Sequence, residues 1–83
     1  MDEENIKKKL LETVKKQVNS IIGRDILLED EMAKIGLNSI AFIQIIVELE
    51  EELEFEFDDD RLDFYKFHTI QDIFIYIKEK LNI

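Results

Sequence analysis

The chain is 83 residues long, which leaves room for one small domain, residues 1–83, and no second. Its formal net charge is -9, from 20 acidic against 11 basic residues, and this excludes the basic face that a nucleic-acid binder needs to displace counterions from phosphates. Cysteine is absent, which removes disulfides, thiolate metal ligands and a thiol nucleophile together.

Proline is also absent and only Gly23 and Gly36 break the pattern, so the chain reads as mostly helical. At 46% hydrophobic residues it can build a core, though a small one. Met1 is followed by Asp2-Glu3-Glu4 and not by a basic then apolar stretch, so no signal peptide is visible. The longest apolar stretch, Ile40 to Val47, is interrupted by Gln44 and is too short to span a bilayer. A cytoplasmic location is expected.

Residues 3 to 20 read as a first helix. Ile6, Leu10, Val14, Val18 and Ile21 recur every three or four positions, and Leu11 and Ile22 widen the stripe. Lys7-Lys8-Lys9 and Lys15-Lys16 share this segment with Glu3, Glu4 and Glu12, and read as its solvated face. Gly23 is a natural stop. Residues 23 to 37 read as a long loop pinned by Leu27, Leu28, Met32 and Ile35, with Gly36 marking a turn.

Residues 39 to 54 read as a second helix, with Asn38 and Ser39 both good cap residues. At about 100° per residue, Phe42, Ile45, Ile46, Leu49 and Leu53 fall within about 100° of one another and form an ordinary core stripe. Ile40, Ile43 and Val47 form a separate stripe within about 60°, beside Ser39, with Glu50, Glu51 and Glu54 below it on the same side. Either both stripes are buried, because this helix sits centrally, or the second is an exposed docking patch with a polar rim. Burial of both Ile43 and Val47 would remove the second alternative.

Phe55-Glu56-Phe57-Asp58 alternates apolar and acidic residues, as a strand does. A lone strand would have no partner, so a loop anchored by its two phenylalanines is expected. Residues 61 to 66 read as one short helical turn. Thr69 caps a last helix, 70 to 81, with the stripe Ile70, Ile73, Phe74, Ile77 and Leu81. The whole is all-α, a small bundle of three long helices and one short third helix after a long first loop.

Gly36-Leu37-Asn38-Ser39-Ile40 resembles the attachment motif of the acyl and peptidyl carrier protein family, which usually runs Gly-hydrophobic-Asp-Ser-(Leu/Ile). The likeness continues through IQIIVELEEELEFEF, Ile43 to Phe57, which is similar to the family's second helix with its glutamate run and the hydrophobic residue that closes the next loop. It extends to Phe67-His68-Thr69-Ile70-Gln71-Asp72-Ile73 with Tyr76-Ile77, which resembles the start of the last helix. The resemblance implies a four-helix acyl-carrier-like bundle. It also implies 4′-phosphopantetheine, supplied by coenzyme A, on Ser39, with Asn38 and Ile40 flanking the attachment point. Expected partners are a phosphopantetheinyl transferase, an acyl- or aminoacyl-loading ligase and downstream transfer or condensing enzymes, with the chain working as a monomer. Ile40, Ile43, Val47, Glu50, Glu51, Glu54 and Phe57 are the expected partner contacts. Asn38 departs from the usual aspartate. It caps as well but lacks the charge that a helix N-terminus favours. Asparagine at this place resembles some peptidyl or specialised-metabolism members of the family, which leans the reading away from primary fatty-acid synthesis.

The local chemistry agrees with this. A phosphate on a serine at a helix N-terminus is favoured by the dipole and the free first-turn amides, although a serine there can also be a plain cap. Catalysis by Ser39 would need a base and an orienting group. The single histidine, His68, precedes the last helix without a nucleophile elbow, so no catalytic residue is assigned. The arm must then bring the thiol that the chain lacks. Asp58-Asp59-Asp60 lacks the mid-loop glycine and alternating ligands of a calcium loop, so no metal site is expected. The cargo stays open between peptide or polyketide intermediates, D-alanine and fatty acids. An unmodified acidic helical interaction module remains the alternative of another class.

Overall fold

The computed structural model describes residues 2–18, 25–58 and 63–83. Among them are three α-helices, α1 (Glu3–Val18), α2 (Ser39–Leu53) and α3 (Ile70–Leu81), and one 3₁₀ turn, Phe64–Lys66. The all-α class is as expected. Of the short third helix expected over residues 61–66, Phe64–Lys66 form a 3₁₀ turn capped by Asp63, whose Oδ1 accepts from the Tyr65 amide at 2.9 Å, while residues 61 and 62 lie outside the described residues. Ile21, Ile22 and the stop expected at Gly23 lie outside the described residues, as do Asp59 and Asp60.

Each helix forms where its sequence supplies both a start and a face. Asp2 opens α1 by accepting from the Asn5 amide at 2.9 Å. Glu3 and Glu4 in the first turn and Lys15 and Lys16 in the last complement the helix dipole. Ile6, Leu10, Val14 and Val18 are buried. Thr13 joins them because its hydroxyl donates to the Lys9 carbonyl at 2.8 Å, which satisfies the group inside the helix. Thr69 starts α3 with a capping box: its hydroxyl accepts from the Asp72 amide, and Asp72 accepts in return from the Thr69 and His68 amides. Asn82, in the left-handed region at φ 60°, closes α3.

α1 packs against both α2 and α3. Lys9–Glu52, Lys16–Glu48 and Lys78–Glu3 span the helix seams at 2.8 to 3.1 Å, but they are exposed and contribute little stability. The core is formed by the buried stripes together with Met32, Ile35 and Leu37 from the first loop. Leu27 is a correction: it was expected to pin that loop, yet it is 47% exposed, and Ile26 beside it is buried in its place. The loop is held as much by backbone as by side chains. Its Met32 amide donates to the His68 carbonyl, while the Ile70 and Gln71 amides donate back to Asp30 and Leu28. The start of α3 is therefore sewn to the approach to α2.

Phe55 to Asp58 form no strand. The two phenylalanine rings meet at 4.8 Å, and Phe57 stacks on Tyr76 at 5.0 Å. Phe57, expected among the partner contacts, is corrected here: it is buried at 4% exposure, because its ring closes the core between α2 and α3.

Candidate functional site: Ser39 and the exposed face of α2

Residues 32–36 make one helical turn that ends in a glycine cap. The Leu37 amide donates to the Met32 carbonyl and the Gly36 amide to Ala33, with Gly36 at φ 89°, the pattern of a Schellman stop. A side chain at Gly36 would meet no atom within 4 Å, so glycine is required there by backbone conformation alone and not by space. Leu37 then anchors in the core, Asn38 and Ser39 emerge exposed, and α2 begins.

Asn38 is the cap of α2. Its Oδ1 accepts from the Ala41 amide at 2.8 Å, and its carbonyl accepts from Phe42. Ser39 is the first residue of the helix, so its own amide and that of Ile40 have no partner within the helix. One turn on, Phe42 is fully buried and meets Phe64 and Phe67 at 5.6 and 5.4 Å. The hydroxyl thus stands on a firmly anchored helix end, beside two amides free to receive an anion. Asn38, Ser39 and Ile40 are all exposed, so the residues fit a covalent phosphodiester arm at this position.

The two stripes of α2 separate cleanly. Phe42, Ile45, Ile46, Leu49 and Leu53 are buried, while Ile40 is 69% exposed and Ile43 and Val47 are each 47% exposed. The alternative in which both faces are buried is thereby excluded. Towards the end of α2 the exposed stripe runs into a shallow cleft of about 450 Å³, lined by Val47, Glu50, Glu51, Glu54, Phe55 and Glu56. Glu51 and Glu54 are exposed. Glu54 caps α2 at φ 54°, the left-handed region where glycine is usual.

Glu50 has a second job that its sequence position conceals: its Oε2 accepts from the Phe57 amide at 2.9 Å. A glutamate in a run of glutamates reads as a solvated charge, and nothing local marks it as a loop fastener. His68 is exposed beside the Thr69 cap. Asp58 pairs with Lys80 at 3.1 Å and its amide donates to the Tyr76 hydroxyl at 2.9 Å.

A helical bundle that presents one serine at a helix start, with an apolar stripe and an acidic rim alongside, has the form of a carrier. The family model for the phosphopantetheine attachment site matches residues 10–77 of the chain, and the protein belongs to that family. No curated protein and no solved structure matches significantly. Members of the family are non-catalytic carriers that hold 4′-phosphopantetheine covalently on a conserved serine and work with a phosphopantetheinyl transferase and biosynthetic enzymes. The chain is accordingly a phosphopantetheine-bearing carrier and not an enzyme. Among the described residues no helix is long and apolar enough to cross a membrane.

Proposed function

We propose that Ser39 is the attachment residue, that residues 1–83 act as one discrete carrier domain, and that the exposed stripe of α2 is its docking face. The observation that carries the reading is an exposed serine at the first position of a 15-residue helix, offered by the Gly36 turn and capped from below by Asn38. When bound, the arm supplies the thiol on which acyl or aminoacyl groups are held as thioesters. The chain's own part is to orient the arm at the helix end and to present Ile40, Ile43 and Val47 to partners, with Glu51 and Glu54 steering basic surfaces towards them. The patch is small, as suits a shuttle that must leave each enzyme it visits. Asn38 in place of aspartate favours cargo of nonribosomal-peptide or polyketide type, with a loading ligase and condensing enzymes as partners. A D-alanyl or fatty-acid carrier is the alternative. A cytoplasmic monomer fits this role.

The test is an intact-mass spectrum after incubation with coenzyme A, Mg²⁺ and a broad-specificity phosphopantetheinyl transferase. The parent gains one phosphopantetheine and Ser39→Ala gains none. A gain in the variant would move the site elsewhere. No gain in either, with several transferases, would favour an unmodified interaction module.

A further inference from the structure

The cleft at the end of the docking face has two walls. One is α2 itself, through Val47, Glu50, Glu51 and Glu54; the other is the loop that follows, through Phe55 and Glu56. That second wall is fastened at three points. The Phe55 amide donates to the Glu50 carbonyl at 3.4 Å. The Phe57 amide donates to the Glu50 carboxylate at 2.9 Å, and the Asp58 amide donates to the Tyr76 hydroxyl at 2.9 Å. Phe57 is buried, so its amide has little recourse to water if the carboxylate is taken away. The bond to an ionised acceptor is also of the stronger kind.

We infer that Glu50 is a positioning residue for partner recognition: its carboxylate serves by holding the Phe55–Phe57 wall of the cleft, and not by adding charge to the docking face. Glu50 is half-buried, whereas Glu51 and Glu54 point their charge into solvent from exposed positions. Glutamine at position 50 keeps an acceptor oxygen at the same reach and loses the charge, whereas alanine loses both. The inference rests on the docking reading of α2.

The experiment measures the rate of arm transfer from coenzyme A by a phosphopantetheinyl transferase at low and high salt, for Glu50→Ala, Glu50→Gln and Glu51→Gln. Hydrogen exchange of the Phe57 amide in the free chain is measured alongside. Glu50→Ala should speed Phe57 exchange and slow transfer, each on the order of tenfold, the scale set by one lost hydrogen bond. Glu50→Gln should recover most of both losses while the salt dependence persists. Glu51→Gln should flatten the salt dependence and leave Phe57 exchange unchanged. The inference is overturned if Glu50→Gln slows transfer and flattens its salt dependence as Glu51→Gln does, a result readable even if the alanine variant folds poorly. Faster Phe57 exchange in Glu50→Ala, with no change of rate in any variant, would overturn it differently, by showing that the transferase does not use this face.

Discussion

α2 carries two apolar stripes of nearly the same composition, and they have opposite fates. Phe42, Ile45, Ile46, Leu49 and Leu53 are buried against α1 and the aromatic cluster, while Ile40, Ile43 and Val47 face water. Hydrophobicity alone does not separate them. The separation comes from the neighbours: α1 packs on one side of α2, the 3₁₀ turn brings Phe64 against Phe42, and among the described residues no helix covers the third side. A helix apolar on two faces with only one covered has surface to spare for a visiting protein.

The comparison can be broken most severely at Phe42. Phe42→Ala should cost about 3–5 kcal/mol of stability in chemical denaturation, because a fully buried ring between Phe64 and Phe67 leaves a void. Its effect on carrier function would follow from loss of the fold. A smaller and more pointed change tests the two ends of α2, where two residues share the left-handed conformation. Gly36→Ala should lose about 1–2 kcal/mol. Glu54→Gly should instead gain stability, by about 1 kcal/mol or less once the extra freedom of glycine in the unfolded chain is counted. If the glycine variant at position 54 docks partners more slowly despite its gain, the strain at that cap is retained for the charge it displays. The smallest expected effect on the fold is on the exposed stripe. Val47→Ala should shift stability by no more than about 0.5 kcal/mol, since lost partial burial is offset by the better helix propensity of alanine. It should nonetheless slow partner reactions. A large loss of stability there would mean that this face too is structural.

Much of this arrangement is legible in the residues. Thr69 followed by Asp72 marks the start of α3 because a capping box needs those two side chains at that spacing, and the boundaries 70–81 coincide with the helix found. The split of α2 into two stripes follows from angular position. What was not legible depends on contacts across the chain. Leu27 and Ile26 are adjacent and equally apolar, and only the tertiary path decides that the isoleucine turns inward. Phe57 reads equally well as a loop-closing side chain and as a partner contact, and the difference lies in Tyr76, far along the sequence, waiting to stack on it. The hydrogen bonds between residues 28–32 and 68–71 are made by backbone, which has no side-chain signature.

Those backbone bonds also make the setting of Ser39 depend on the far end of the chain. The stretch that leads into Ser39 is tied to the start of α3, so the serine's setting is completed only when the far end of the chain has docked. On a ribosome, a nascent chain stopped before Thr69 would hold its serine without the scaffold that presents it, as would a chain clipped at that point by a protease. With Ser39 as the proposed attachment residue, a fragment ending at residue 68 should gain no phosphopantetheine under conditions that modify the full chain, and an equally rapid gain would show that the turn at Gly36 stands without α3.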